Sequence, residues 1–202
     1  MKGKFPAKIS FSMSMAIFGT IGVFTRLIPL SSSEIALYRA VLAAIVIALF
    51  LALSKKKVFQ GIKNKTLVLL FLSGAAMGFN WILLFEAYNY TSLTAATLSY
   101  YFAPTIVLLS SPIVMKERLK KTGVLCFLLS SIGLVMVIAG GGGGRGSDDL
   151  KGIFLGLGAA VLYATVILIN KKIGEIDGIG RTFLQFISAM IVLTPYVLFK
   201  NG

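Results

Sequence analysis

The 202-residue chain has no histidine and one cysteine, Cys126. Without histidine, the commonest metal ligand and the usual near-neutral proton relay are both missing, so proton chemistry would fall to carboxylates. Carboxylates are scarce too, with 7 Asp and Glu against 20 Lys and Arg. A single cysteine inside an apolar run forms no internal disulfide and no thiolate metal site. No glycine-rich loop ends in Gly-Lys-Ser/Thr, which removes the usual phosphate-gripping turn. Charge itself is in short supply. Charged residues make up 13% of the chain and hydrophobic residues 57%, against about 25% and 45–50% in soluble domains. The chain reads as an integral membrane protein. Its net charge of +13 is carried by short Lys and Arg clusters between apolar runs, not by one basic helix face, so no nucleic-acid partner is expected.

Seven apolar runs approach the roughly 20 residues needed to cross a bilayer: Ile9 to Leu30, Glu34 to Leu53, Leu67 to Tyr88, Leu93 to Met115, Thr122 to Gly140, Gly152 to Asn170 and Thr182 to Phe199. All are expected to be helices, because an open strand edge cannot satisfy its backbone in lipid. The alternating ten-residue segments of a membrane barrel are absent. The fold class expected is therefore all-α, a polytopic bundle of seven transmembrane helices. Lys2, Lys4 and Lys8 precede the first run without a small-x-small cleavage pattern, so that run is read as a retained helix, not a signal peptide. The basic clusters at the N-terminus, Lys55 to Lys65, Lys116 to Lys121 and Lys171 to Arg181 fall on one side, which the positive-inside rule makes cytoplasmic. The localisation expected is a bacterial-type inner or plasma membrane.

The Gly140 to Gly144 run with the polar residues after it reads as a flexible external linker. Across it, Ala36 to Ile47 aligns in register with Thr182 to Leu193, which sets Arg39 against Gln185. The repeat unit is five helices, an odd number, so the second copy enters the membrane inverted. The domains expected are residues 1–140 as a first five-helix repeat, 141–150 as linker and 151–202 as the first two helices of a second, incomplete repeat.

Several residues stand out from plain lipid-facing sequence. Ser31-x-x-Glu34 has the spacing of a helix capping box. Arg39 lies more than a turn inside its helix, where it either snorkels to the headgroups or faces a cavity. Glu86 is a carboxylate within a span and so a functional candidate in want of an arginine partner; otherwise it is interfacial and reaches water at the hairpin. Trp81, Phe85 and Tyr88 share one face of the third run, and Thr94, Thr97, Tyr101, Pro104 and Thr105 form a stripe on the fourth. Pro104 cannot bond the carbonyl of Tyr100, which makes a kink there, a hinge or a substrate contact. Cavity-wall candidates are therefore Asn80, Trp81, Phe85, Tyr88, Thr97, Tyr101 and Pro104; intramembrane polar candidates are Arg39, Glu86 and Gln185. The glycine pairs Gly74/Gly78 and Gly152/Gly156 read as packing faces.

The stretch from Asn80 to Leu119 resembles the signature region of EamA-type transporters of the drug/metabolite transporter superfamily. The resemblance rests on Phe85-x-Ala87-x-x-Tyr90-Thr91-Ser92, then Ala95-Ala96 and Pro104, then Lys116-Glu117-Arg118-Leu119. It implies a full chain of about ten spans, of which this sequence would be a truncated part. It also implies an interior place for Arg39 and a substrate cavity between the two halves. The function expected is secondary transport, with export the commoner direction, of a small organic solute such as an amino acid or related metabolite. The partners expected are that solute, the lipid bilayer and a second copy in a homodimer. No cofactor, metal or catalysis is expected, because Glu34 and Glu86 form no pair in sequence and no nucleophile has a base. A heptahelical receptor, a scaffold and an inactive fragment are the alternatives; a retinal receptor would need a lysine within Thr182 to Phe199, and none is there.

Overall fold

The computed structural model describes residues 7–54, 62–116, 121–139, 148–174 and 176–201, and the glycine-rich linker and the Glu117-Arg118-Leu119 part of the signature lie outside them. Among the described residues the chain is helical throughout. The elements are α1 (Ala7–Leu27), α2 (Ser32–Ser54), α3 (Asn64–Tyr90), α4 (Leu93–Tyr100), α5 (Ala103–Met115), α6 (Lys121–Ala139), α7 (Asp149–Ile173) and α8 (Gly178–Asn201).

Five segments are long and apolar enough to cross a membrane: α2, α3, α4 with α5, α7 and α8. Shorter apolar helices cover Ser12–Leu27 and Lys121–Met136. The fourth apolar run, expected as one helix, is broken into α4 and α5. Tyr101 and Phe102 keep right-handed backbone angles through the break, and Pro104 sits in the first turn of α5. Proline there has no amide to offer Tyr100, so the chain starts a new helix instead of continuing the old one.

The other boundaries follow local chemistry. α1 stops two residues before Pro29, whose ring disfavours helical angles in the residue before it. Ser31 and Glu34 form the reciprocal box expected at the start of α2. The Ser31 amide donates to Glu34 Oε2 at 2.8 Å, and the Glu34 amide donates to Ser31 Oγ at 3.3 Å. α3 ends where Thr91 turns extended, and Ser92 Oγ then accepts from the Ala95 amide at 3.1 Å to open α4.

α3 is the centre of the bundle, packed between α2, α7 and α8. Contacts along it fix the directions of its neighbours. Ser73 meets Asn170, Asn80 meets Ala159, and Thr91 meets Gly152, so α7 runs antiparallel to α3. Gly74 meets Gln185 and Gly78 meets Leu193, so α8 runs parallel to it. Ser32 meets Glu86 and Arg39 meets Trp81, so α2 is antiparallel. Tyr88 touches α1 at Gly22 and Arg26, near the C-terminal ends of both helices. The pair α1–α2 therefore runs opposite to the pair α7–α8. α4 lies along α7, and α6 rests outside on α4 and α5.

Close approach needs small residues, since lipid supplies no water to drive apolar faces together. Ala36, Ala40, Ala159, Ala160 and Ala164 are buried, while Leu42, Val46, Leu49 and Leu53 on α2 and Leu125, Leu129 and Ile132 on α6 face outward. The glycines are closer still. A Cβ on Gly74 would lie 2.5 Å from Ser188 Cβ and collide with the Gln185 carbonyl, and one on Gly156 would lie 2.9 Å from Ser99 Cβ. Gly133 on α6 has nothing within 4 Å of that position. Gly74→Ala is expected to destabilise the bundle by about 1–3 kcal/mol through overpacking, and Gly133→Ala to be neutral or stabilising by up to about 1 kcal/mol through helix propensity. Thermal unfolding of both variants in detergent checks this; equal midpoints would contradict it.

Candidate functional site

The C-terminal end of α3 leaves carbonyls without intrahelical donors and carries the negative end of the helix dipole. Arg26 at the end of α1 meets both needs. Its Nη2 donates to Tyr88 O at 2.8 Å and to Thr91 O at 2.5 Å, and its Nε donates to Tyr88 O at 3.2 Å. Ser32 Oγ, at the start of α2, donates to Glu86 Oε2 at 2.6 Å. Thr91 Oγ1 donates to Asp149 at the start of α7. Lys151 Nζ lies 3.8 Å from the centre of the Tyr90 ring. The hairpin end thus ties α1, α2 and α7 to α3. Glu86 is taken up in this tie to Ser32, and Arg39 lies apart from it over Trp81.

Deeper along α3, aromatic residues gather round that arginine. The Arg39 guanidinium carbon lies 4.7 Å from the centre of the Trp81 ring, a cation–π distance. Tyr88 and Tyr100 are the tyrosines beside it. The Tyr88 hydroxyl has the Thr97 side chain as a hydrogen-bond partner. Trp81 also lies 5.5 Å from Phe186 of α8, and Tyr100 lies 5.3 Å from Tyr163 of α7, both centroid to centroid. Residues of α2, α3, α4, α7 and α8 thus meet in one cluster. On its α1 side, Thr97 joins Gly19, Leu93, Thr94 and Leu98 around a cleft.

The cavity candidates do not all lie together. Trp81 and Tyr88 are buried within the cluster, and Phe85, also buried, has its ring 6.4 Å from that of Tyr88. Asn80 is one position from Trp81 but points to α7, where its Nδ2 donates to Ala159 O at 2.5 Å. Its Oδ1 is buried without a partner. Tyr101 is 49% exposed and lines a separate cleft with Phe102, Ser130, Gly133 and Leu134. Pro104, beyond the break, is exposed. Gln185 belongs to a second polar cluster, where its Nε2 donates to Ser73 Oγ at 2.6 Å and to Asn170 Oδ1 at 2.7 Å.

Sequence reasoning passed over Tyr100, Tyr163 and Arg26 as site residues. Tyr100 and Tyr101 are adjacent, so a helix points their rings apart, and the buried face of α4, with Ala95, Ala96 and Ser99, is the one that carries Tyr100. The signal for Arg26 is its place in the last turn of α1, near a hairpin turn, Asn89 to Ser92, that has no charge.

The model of the EamA-like transporter family matches residues 7–139. The chain belongs to the EamA-like transporter family. It is a multi-pass membrane protein. It is 32% identical over 204 residues to the uncharacterized transporter YxxF of Bacillus subtilis (strain 168), a match covering 98% of this chain and 64% of that protein. It is 27% identical over 173 residues to solute carrier family 35 member G1 of Mus musculus, covering 81% of this chain and 46% of that one. The chain therefore spans between about half and two thirds of the length of these relatives. No solved structure matches it. In this EamA-like chain the Arg26 tie is testable by itself. Arg26→Ala is expected to cost on the order of 1 kcal/mol, the scale of a charged hydrogen bond discounted for its exposure. It should also speed proteolysis at Asn89 to Ser92; unchanged cleavage would show that the tie does not hold the hairpin.

Proposed function

We propose that the protein is a secondary transporter, not an enzyme, that moves a small organic solute such as an amino acid or related metabolite by alternating access, in the direction of export. The observation that carries this reading is the cluster of Arg39, Trp81, Tyr88 and Tyr100 held within apolar, membrane-length helices. Rings with polar tips offer a solute both apolar area and hydrogen bonds. No group of three or more His, Cys, Asp or Glu suited to a metal occurs among the described residues.

The architecture proposed is seven spans, with α1 and α6 added to the five of full length, a cytoplasmic N-terminus and a place in the inner or plasma membrane. Residues 1–140 make a first five-helix repeat, 141–150 a linker and 151–202 the first two helices of an inverted second repeat. The opposite directions of α1–α2 and α7–α8 support this. So does the equivalent place of Arg39 and Gln185, each the eighth residue of its helix. Two related halves that face opposite sides are a means of exposing one site alternately to each. A homodimer is the assembly proposed.

Counterflow of labelled amino acids and organic acids into vesicles carrying the protein tests the function. A cation–π or stacking contact is worth on the order of 1 kcal/mol, so Trp81→Ala and Tyr88→Ala are expected to weaken solute binding several-fold while the protein still inserts. Transport unchanged in both variants would remove the cluster from the solute path.

A further inference from the structure

Arg39 is an arginine within a membrane-length helix that, among the described residues, has aromatic rings and no carboxylate against it. A guanidinium carries five N–H donors and no acceptor, and in a membrane span its cost is relieved only by snorkelling, water or an anion. The nearby polar groups of the bundle have other partners. Glu34 caps α2, Glu86 accepts from Ser32, Asp149 accepts from Thr91, and the Tyr88 hydroxyl has Thr97. Among the described residues the groups found against Arg39 are the Trp81 ring and the tyrosines Tyr88 and Tyr100, and no carboxylate is among them.

The site is also open. The one sealed side-chain polar atom without a partner, among the described residues, is Asn80 Oδ1. Arg39, by contrast, is only partly buried. Contact with the face of Trp81 takes up one side of the cation, and the N–H donors remain for a planar two-oxygen acceptor, which a guanidinium binds by paired hydrogen bonds.

We infer that Arg39 is an anion-binding group, and that the solute of this site is a carboxylate-bearing one that sets its carboxylate on the guanidinium and its apolar part against Trp81, Tyr88 and Tyr100. This deepens the transporter reading, which gives the site its role. The anion site itself does not depend on transport. A lipid phosphate offers the same oxygen pair, so the test has to separate the two sources. The eighth residue of α2 lies about 10 Å along the helix from its first, at 1.5 Å per residue. That depth favours a solute that enters over a headgroup that stays at the surface.

Trp81 is the only tryptophan in the chain and the residue against the cation, so its fluorescence reports on this site alone. The probe is iodide, an anion that quenches tryptophan, compared with caesium and neutral acrylamide at fixed ionic strength. The measurement is made on the 202-residue chain in maltoside detergent and in nanodiscs of zwitterionic lipid. Iodide is expected to quench Trp81 about threefold or more better than caesium, as an unpaired nearby cation attracts one and repels the other. Acetate should protect against iodide where acetamide, of equal size, does not. Arg39→Gln should remove the iodide advantage and leave acrylamide quenching as it was, and Arg39→Lys should keep part of it. The wild-type comparison needs no substitution, so it stands even if a variant fails to fold.

An iodide advantage that survives Arg39→Gln, or acetamide protecting as well as acetate, overturns the anion site while the transporter reading stands, because a ring cluster can hold a neutral or cationic solute. An advantage present in detergent but absent in nanodiscs assigns the guanidinium to lipid phosphate and overturns the solute proposal. An Arg39-dependent advantage in both media, with no solute moving in the vesicles, keeps the anion site and removes the transporter reading.

Discussion

A helix in lipid has to find partners for its polar groups among its neighbours, and in this chain α3 is where that need is met. Its C-terminal end hands carbonyls to Arg26 and a carboxylate to Ser32, and its middle commits Asn80 to the backbone of α7. Toward its start, Ser73 joins Gln185 and Asn170. Each tie is modest, since a polar contact between membrane helices averages about 0.6 kcal/mol. Together they make α3 a fixed post; Gly74 and Gly78 let α8 come close to it, and Gly152 lets α7 close on Thr91.

The cluster round Arg39 follows from that arrangement. α2 reaches α3 antiparallel, so the arginine one turn and more inside α2 lands beside the tryptophan in the second half of α3. The short turn at Thr91 and Ser92 brings α4 back against the same helix, which adds Tyr100 and Thr97. α7 and α8 then close the cluster with Tyr163 and Phe186. The aromatic cluster is the consequence of packing four helices, α2, α4, α7 and α8, around one central helix.

Much of this was legible in the sequence, for reasons that differ by residue. Helix type and position followed from apolar run length, because lipid permits few other structures. The capping box at Ser31 and Glu34 was legible because its chemistry is local. The shared face of Trp81 and Tyr88 was legible because helical periodicity is rigid over two turns. Tyr101 shows where that reasoning stops. As far as Tyr101 its stripe with Thr94 and Thr97 is a true face of α4, since the Tyr101 amide still bonds the Thr97 carbonyl, but the face turned into the bundle is the other one, with Ala95, Ala96, Ser99 and Tyr100. The partners of Glu86 and Gln185 are contacts between helices far apart in sequence, for which no local pattern gives a sign.

The most direct test of a solute site between α3 and α4 is the reactivity of a thiol placed inside it. With Cys126 replaced by serine, Thr97→Cys puts that thiol on the residue that partners Tyr88 and lines the adjoining cleft. Its rate of modification by a small water-soluble methanethiosulfonate is then measured with and without a solute that the protein moves. The account predicts that the thiol reacts and that the solute slows the reaction. A thiol that does not react, or one that reacts at the same rate with the solute present, would contradict it.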